Sequence, residues 1–206
     1  PDIEMTILPM YPTSINEKYM ELVINTLRDG GIIIYPTDSL YAIGCNALNN
    51  QAIERICRIK GINPAKTNLS IICHDISQSA EYARINNRAF RIMKDNLPGP
   101  FTFLLPASTT LPKVFKGRKT VGVRIPDNAI AREIAMRMDS PLLTTSIQWD
   151  TEDEAINPES IAMRYSDTVD IVIDGGEGGT EPSTVIDITD SSNPEIIRQG
   201  LGEIEL

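Results

Sequence analysis

Histidine and cysteine, the side chains that supply most metal sites and many catalytic nucleophiles, are scarce in this sequence. The 206 residues include one histidine, His74, and three cysteines, Cys45, Cys57 and Cys73, with no Cys-x-x-Cys pair. An odd number of cysteines argues against a disulfide scaffold and is typical of a reducing compartment, so we expect a cytoplasmic protein. The same scarcity argues against a resident metal and against a Ser-His-Asp site, and we expect neither.

Long apolar runs, aromatic residues and phosphate-loop motifs are also missing or few. No apolar run approaches the ~18 residues that span a membrane, so we expect no membrane partner. The glycine-rich segment Gly175–Gly179 matches neither the dinucleotide-binding GxGxxG pattern nor the P-loop, and it lies among acids, which predicts a flexible turn. Aromatics make up 5% of the chain, too few for a protein that stacks single-stranded bases.

Charge is unevenly distributed along the chain. Nineteen Lys and Arg against 28 Asp and Glu give a net charge of −9, which argues against a generic nucleic-acid binder. Residues 150–206 carry 15 of the acids and two bases, a net charge of −13, whereas residues 1–149 carry a net charge of +4. This asymmetry predicts a local anion site on an acidic protein, unless the bases only solvate helix faces.

Predicted strands and helices alternate along the whole chain. Short apolar runs predict strands at 32–35, 40–45, 69–73, 101–105, 120–125, 142–146, 169–173, 184–188 and 195–198. Amphipathic patterns predict helices at 16–29, from a cap at Asn50, from a cap at Asp75 through Tyr82, and at 86–97, 128–138 and 158–164. The stretch 148–157 has no clear pattern. We expect one α/β domain over residues 1–206, with a mixed, mostly covered sheet.

Hydroxyl and guanidinium groups recur at the ends of these predicted strands. Thr37, Ser146 and Ser183 each lie next to a strand, and Arg124 and Arg198 each end one. Ligands of α/β sheets usually lie beyond the strand ends, where loop hydroxyls and backbone donors meet. These residues together therefore predict a pocket for a carboxylate or phosphate ligand.

Six segments, in order along the chain, resemble the motifs of the YrdC domain family. They are GGIIIYPTDSLYAIGC (30–45), PGPFTFLL (98–105), TVGVRIPDN (120–128), PLLTTS (141–146), STVID (183–187) and IRQGLG (197–202). A further segment, AIERICRIK at 52–60, resembles the YciO branch of the family in particular. The resemblance covers the core at 30–202 and implies a single-domain YrdC/RibB-like fold, a twisted mixed α/β sheet with a concave ligand-binding face.

The resemblance implies a threonylcarbamoyl-AMP synthase-like nucleotidyltransferase. Such an enzyme joins ATP, L-threonine and bicarbonate, releases pyrophosphate, and supplies the threonylcarbamoyladenosine (t6A) modification of tRNA. By matching positions, the threonine portion is expected at Thr37, Arg124, Ser146 and Ser183, and the nucleotide at Lys60, Thr120 and Arg198. ATP is expected as a substrate with Mg²⁺ and without a prosthetic group. No protein nucleophile is required, so no catalytic residue is assigned beyond these.

Two positions depart from the synthase motifs. Ile62 stands where the Lys-x-Arg motif has its arginine, and Gln148 stands where the Ser-x-Asn motif has its asparagine. Losing a phosphate-binding arginine costs on the order of two powers of ten in rate. We therefore expect weak or altered nucleotidyl-transfer activity.

Two other functions are compatible with the same residues. One is a double-stranded RNA- or tRNA-binding module without catalysis, for which the candidate contacts are Arg58, Lys66, Lys116, Arg118 and Lys119. The other is adenylation of a different small carboxylate in the same pocket. No pattern in the sequence predicts an oligomeric state.

Overall fold

The strands form one mixed sheet in a computed structural model that describes residues 5–64, 66–67, 69–111 and 118–206. Ten strands lie within these residues: β1 Thr6–Pro9, β2 Ile33–Tyr35, β3 Ala42–Asn46, β4 Ser70–Ile72, β5 Phe101–Pro106, β6 Thr120–Arg124, β7 Leu142–Ser146, β8 Ile171–Asp174, β9 Thr184–Asp187 and β10 Glu195–Arg198. Their spatial order is β1-β8-β2-β3-β7-β4-β6-β5-β9-β10.

The sheet contains both parallel and antiparallel strand pairs. The pairs β1–β8, β2–β8, β4–β6 and β5–β9 are parallel, and the remaining neighbours are antiparallel. Most neighbours are distant in sequence, so the sheet surface combines residues from the whole chain. The predicted mixed sheet is confirmed.

Helices begin at polar caps. In the described residues they are α1 Glu17–Arg28, α2 Asn50–Lys60, α3 Ile76–Ser79, α4 Asn87–Asn96, α5 Ala129–Met138, α6 Glu152–Ile156 and α7 Pro158–Tyr165. The cap of α2 is Asn49, whose side chain accepts from the N–H of Ala52, so the prediction of Asn50 is wrong by one residue. Asp75 caps α3 as predicted, but that helix ends at Ser79 and not at Tyr82. None of these helices is long and apolar enough to cross a membrane.

The two faces of the sheet are covered to different extents. On one face, β-strand residues such as Ile43, Ile71 and Phe103 are fully buried in a core that also contains apolar residues of α2, α4 and α7. On the other face, α1 and α5 pack against Ile33 and Leu142 among others. Beyond that second core, the same face carries small polar residues, and this polar part of the sheet positions the candidate site.

Two elements were not predicted from the sequence, β1 and α6. β1 is a four-residue edge strand, and its parallel partner β8 lies more than 160 residues away in the chain. α6 lies in the stretch that has no clear pattern, and Thr151 caps it. Arg164 of α7 fixes this segment through ion pairs with Asp150 at 3.2 Å and Glu154 at 2.6 Å.

Candidate functional site

Small polar residues from four adjacent strands form the floor of the site. The register pairs Thr144 with Ser70 and Ser70 with Gly122, so these residues share one face of the sheet. A Cβ atom on Gly122 would lie 2.4 Å from Ser70 Oγ and 3.1 Å from Thr102 Cγ2. Because Gly122 has no side chain, Ser70 and Thr102 can approach it closely from the two neighbouring strands.

A cavity of about 380 Å³ lies above this floor, and we call it the arginine cavity. Its polar lining is Ser39, Ser70, Thr102, Arg124, Thr144, Thr145, Ser146, Ser183 and Arg198. Its apolar lining is Leu40, Tyr41, Ala42, Leu104, Pro182, Val185 and Ile197. None of the described residues that line it is Asp or Glu. The cavity combines cations, hydroxyls and an apolar wall, which suits an anionic ligand with an organic body.

Arg124 ends β6 inside this cavity with its charge only partly compensated. Its side chain is 12% exposed, and its Nη2 donates to Ser39 Oγ at 3.0 Å. The nearest carboxylate oxygen, Asp38 Oδ1, is 3.9 Å away, and Nε has no hydrogen-bond partner in the described part of the chain. Burial lowers the pKa of Arg124. The exposed part of its side chain lines the cavity, where its positive charge can attract an anion.

Arg198 ends β10 on the other side of the same cavity. It donates to the carbonyl oxygen of Ser183 from Nε at 3.1 Å and from Nη2 at 2.7 Å. The Ser183 hydroxyl in turn lies 2.7 Å from Thr102 Oγ1. Burial lowers the pKa of Arg198. Burial is also the main cause that lowers the pKa of Arg124, and the positive charge of Arg198 is a smaller cause in the same direction. Two guanidinium groups thus line one cavity, an arrangement that favours a bound anion.

Neither Lys60 nor Thr120 lines the cavity, but Lys60 lies at its rim through a contact with the lining residue Ser146. Lys60 is the last residue of α2, and its Nζ donates to the carbonyl oxygen of Ser146 at 2.5 Å. Burial lowers the pKa of Lys60. Thr120 begins β6 on the same sheet face as Arg124, about 13 Å along the strand from it. The structure therefore brings Lys60, but not Thr120, next to the residues of the arginine cavity.

Thr37 lies in the loop between β2 and β3 and faces a second cavity. Its hydroxyl donates to the Leu40 carbonyl at 2.6 Å and accepts from the Ser39 N–H at 3.0 Å. The second cavity, of about 540 Å³, is lined by Thr37 together with three acids, and we call it the acidic cavity. The acids are Asp38, Glu177 and Glu181. Ser39 and Tyr41 line both cavities, so the two spaces adjoin.

The residues predicted to bind RNA lie away from both cavities. Arg58, Lys66 and Lys119 are exposed, and Lys116 lies outside the described residues. Arg118 is half-buried beside Cys57 of α2; burial raises the pKa of that thiol, and the charge of Arg118 opposes the rise. None of the four described candidates lines the arginine cavity or the acidic cavity.

Sequence reasoning missed three polar residues of the site, Asp38, Ser70 and Thr102. Ser70 and Thr102 are single polar residues flanked by apolar residues in short strands, and this interruption of an apolar run is the signal that could have revealed them. Their closeness to Arg124 depends on the pairing of β4, β5 and β6, which no local pattern specifies. Asp38 lies within the segment GGIIIYPTDSLYAIGC, but the family resemblance implies no role for it.

The fold and this site define an α/β protein with a cavity that is lined by two arginines and lies on the less covered face of a mixed sheet. The Sua5/YciO/YrdC family model, described as telomere recombination, matches residues 25–200. The chain belongs to this family, which confirms the resemblance found in its motifs.

Solved and curated relatives agree with the family assignment. The YciO protein of Escherichia coli K12 is 38% identical over 199 residues, covering 95% of this chain and 96% of the relative. The crystal structure of E. coli YciO superposes with a TM-score of 0.88 at 36% identity, covering 97% of each chain. The predicted YrdC-type fold is therefore confirmed.

Two further matches come from proteins of Pyrococcus abyssi. Its threonylcarbamoyl-AMP synthase is 33% identical over 208 residues, covering 98% of this chain and 60% of the relative. The crystal structure of P. abyssi Sua5 complexed with L-threonine superposes with a TM-score of 0.84 at 29% identity. That match covers 95% of this chain and 58% of the Sua5 chain. This chain thus corresponds to roughly three fifths of those longer proteins.

Proposed function

We propose that this protein binds ATP and L-threonine in the arginine cavity and joins threonine, bicarbonate and the adenylate as a weak or altered threonylcarbamoyl-AMP synthase. The observation that carries the proposal is that Arg124 and Arg198 line one cavity without an acid in its described lining. The synthase relative and the threonine-bound Sua5 structure support the choice of substrates. The product would supply t6A modification of tRNA.

The chemistry needs placement of reactants more than a reactive side chain. The threonine nitrogen bonds to the bicarbonate carbon with loss of water, which gives a carbamate. A carbamate oxygen then bonds to the α-phosphorus of ATP, and the bond from that phosphorus to the bridging oxygen breaks, releasing pyrophosphate. Arg124, Arg198 and Lys60 would orient the anions and stabilise the charge that develops on phosphate.

Magnesium would enter as part of the nucleotide substrate. Among the described residues, no group of three or more His, Cys, Asp or Glu is arranged to hold a metal ion. Mg²⁺ is commonly bound through substrate phosphates, so Mg²⁺ that arrives with ATP would need few ligands from the protein.

Ile62 supports the weak-activity part of the proposal. It is half-buried and packs against the main hydrophobic core, close in sequence to Lys60 at the cavity rim. An aliphatic side chain offers no donor to a phosphate, so the nucleotide would be held by fewer cations than the synthase motif provides.

The proposal is tested by measuring pyrophosphate release from ATP in the presence of threonine, bicarbonate, both or neither. We expect release that needs both, and we expect Arg124→Met to abolish it. Arg91→Met is the matched control, because Arg91 is exposed on α4 and lines neither cavity. Release that does not depend on threonine would overturn the synthase assignment.

A second candidate function, binding of structured RNA, is favoured by the position of Arg118. It lies beside Cys57 of α2, the helix that also carries the exposed Arg58, and the exposed Lys119 follows it directly. Filter binding of duplex RNA at graded salt should show log affinity falling linearly with log salt concentration. The slope should decrease in an Arg58→Glu, Lys119→Glu variant. Absence of binding at low salt would exclude this function.

A further inference from the structure

A third cavity, of about 510 Å³, lies beyond the ends of β4 and β6. Its lining includes His74, Asp75, Phe90, Lys94, Ile125 and Arg132, and we call it the Phe90 cavity. No described residue lines both this cavity and either the arginine cavity or the acidic cavity. Its volume lies in the range of small-molecule sites, about 300–1,000 Å³.

The parallel strands β4 and β6 both end at the Phe90 cavity. Their last residues, Ile72 and Arg124, are paired, and the N–H of Cys73 donates to the Arg124 carbonyl at 3.0 Å. His74 follows Cys73, Ile125 follows Arg124, and both line the cavity. Ligands of α/β proteins usually lie beyond the carboxyl ends of the strands. The topology thus places this cavity where proteins of this class bind small molecules.

The apolar part of the cavity combines an exposed aromatic ring with aliphatic residues at the edge of the core. Phe90 is 43% exposed, whereas three other apolar residues of α4 are buried. Its four-residue spacing from Lys94 places the ring and the ammonium group on one face of α4. Ile76, Leu97 and Ile125 line the same cavity and belong to, or pack against, the main hydrophobic core. An apolar ligand body would therefore contact both aromatic and aliphatic surface.

Asp75 is the one acid among the described residues that line the Phe90 cavity, and both of its oxygens are engaged nearby. Oδ1 accepts from the Gln78 N–H at 2.8 Å and so caps α3. Oδ2 lies 3.4 Å from Nδ1 of His74. The carboxylate is thus held at the start of α3 by its own neighbours.

Two permanent cations, Lys94 and Arg132, line the cavity against this one acid. Arg132 Nη1 is 3.6 Å from Oδ1 of the exposed Asp127 and donates to the Pro126 carbonyl at 3.2 Å. Lys94 is exposed and forms none of the ion pairs found among the described residues. The lining therefore has a net positive charge, and Lys94 supplies a cation beside apolar surface.

We propose that the Phe90 cavity binds a small organic anion with a flat aromatic body, of the aryl carboxylate or sulfonate class, as a second ligand site. The rings of this ligand pack on Phe90 and the aliphatic residues, and its anionic group lies at Lys94 and Arg132. This inference goes beyond the proposed function and does not depend on it, because the site uses none of the residues assigned to ATP or threonine.

The test is fluorescence titration of the full chain with two probes, anilinonaphthalene sulfonate and phenylnaphthylamine. Both contain the same rings and fluoresce more strongly in apolar surroundings, but only the first has a sulfonate. We expect Lys94→Gln to weaken sulfonate binding about fivefold, the upper range of a solvent-exposed ion pair, and to leave the neutral probe unchanged. Phe90→Ser should weaken both probes. Arg91→Gln, an exposed change on the same helix outside the lining, should alter neither.

A further variant, Arg124→Met, separates this cavity from the arginine cavity, which also combines cations with an apolar wall. We expect it to retain the part of the sulfonate signal that depends on Lys94. A signal lost in Arg124→Met but kept in Lys94→Gln would overturn the second site. No signal with the wild type, or equal losses of both probes in Lys94→Gln, would also overturn it.

Sedimentation of the same proteins tests whether a second copy of the chain occupies the cavity instead. A wild-type dimer that becomes a monomer in Phe90→Ser would assign this face to a contact between copies and would overturn the small-molecule site. We expect the wild type and Phe90→Ser to have the same oligomeric state.

Discussion

Arg198 forms a forked hydrogen bond to the carbonyl oxygen of Ser183, with Nε at 3.1 Å and Nη2 at 2.7 Å. The contact ties the last residue of the edge strand β10 to the residue that precedes β9. It also points the guanidinium group into the arginine cavity, where the Ser183 hydroxyl meets Thr102. The guanidinium group of Arg198 therefore joins β10 to the start of β9, while its positive charge remains available to a ligand.

Arg198→Lys should weaken ATP binding although it keeps the charge. A lysine cannot form the fork to Ser183, so its ammonium group would be less well positioned in the cavity. We expect ATP affinity to fall about tenfold, the range typical of a charge-assisted hydrogen bond, with little change in melting temperature. Titration calorimetry and thermal unfolding measure the two quantities. Unchanged ATP affinity in the lysine variant would contradict the assigned role.

Asp38→Asn should stabilise the protein at neutral pH. Burial raises the pKa of Asp38 above its usual value of 3.8, more than Asp127 and Arg124 lower it, so the ionised carboxylate costs folding free energy. Stability of the wild type should therefore fall as pH rises from about 3.8 through the raised pKa. The variant should unfold at a higher temperature at pH 7, and the difference should shrink toward pH 3.8. A variant that is less stable at neutral pH would contradict this sign.

Gly122→Ala should disturb the floor of the arginine cavity. The added Cβ would lie 2.4 Å from Ser70 Oγ, and overpacking of this kind costs about 1–3 kcal/mol of the free energy of unfolding. Combining it with Ser70→Ala removes the clashing oxygen, so the double variant should recover part of the loss. Chemical denaturation of the wild type, the two single variants and the double variant measures how far the two changes are coupled in the free energy of unfolding. If the two single changes lower the free energy of unfolding by amounts that simply add in the double variant, the predicted clash between position 122 and Ser70 is wrong.

Ile62→Arg together with Gln148→Asn should raise synthase activity and lower stability. The arginine restores a phosphate donor near Lys60, which is worth up to two powers of ten in rate. Ile62 also packs against the core, so its replacement should lower the melting temperature. Initial rates of threonine-dependent pyrophosphate release and thermal unfolding test both parts. A rate equal to that of the wild type would contradict the explanation of weak activity.

Local sequence patterns predicted most of the helices and strands. The two that were not predicted, β1 and α6, make contacts that a short stretch of sequence does not contain. The helix predicted at 128–138 matches α5, because Asn128 caps it with a side-chain bond to the Ile130 N–H. By contrast, β1 is defined by its pairing with β8, and the segment of α6 forms ion pairs with Arg164 of the following helix. Neither partner is visible in a short window of sequence.

For the candidate site, several of the residues could be predicted from the sequence, but their arrangement in space could not. Arg124, Ser146, Ser183 and Arg198 were selected as strand-end residues, and the structure places all four in one cavity. Their mutual position depends on strands that are neighbours in space but not in sequence. The opposite charge of the two cavities follows from that same topology, so no count of acids and bases along the chain predicts it.

In the proposed function, Arg124 and Arg198 hold the reactants of a threonylcarbamoyl-AMP synthase. Its most direct test is mass spectrometry of the reaction of the wild-type protein with ATP, L-threonine and isotopically labelled bicarbonate. We expect a labelled adenylate with the mass of threonylcarbamoyl-AMP, which disappears when threonine is omitted or Arg124 is replaced by methionine. Bound ATP without any labelled adenylate would contradict it.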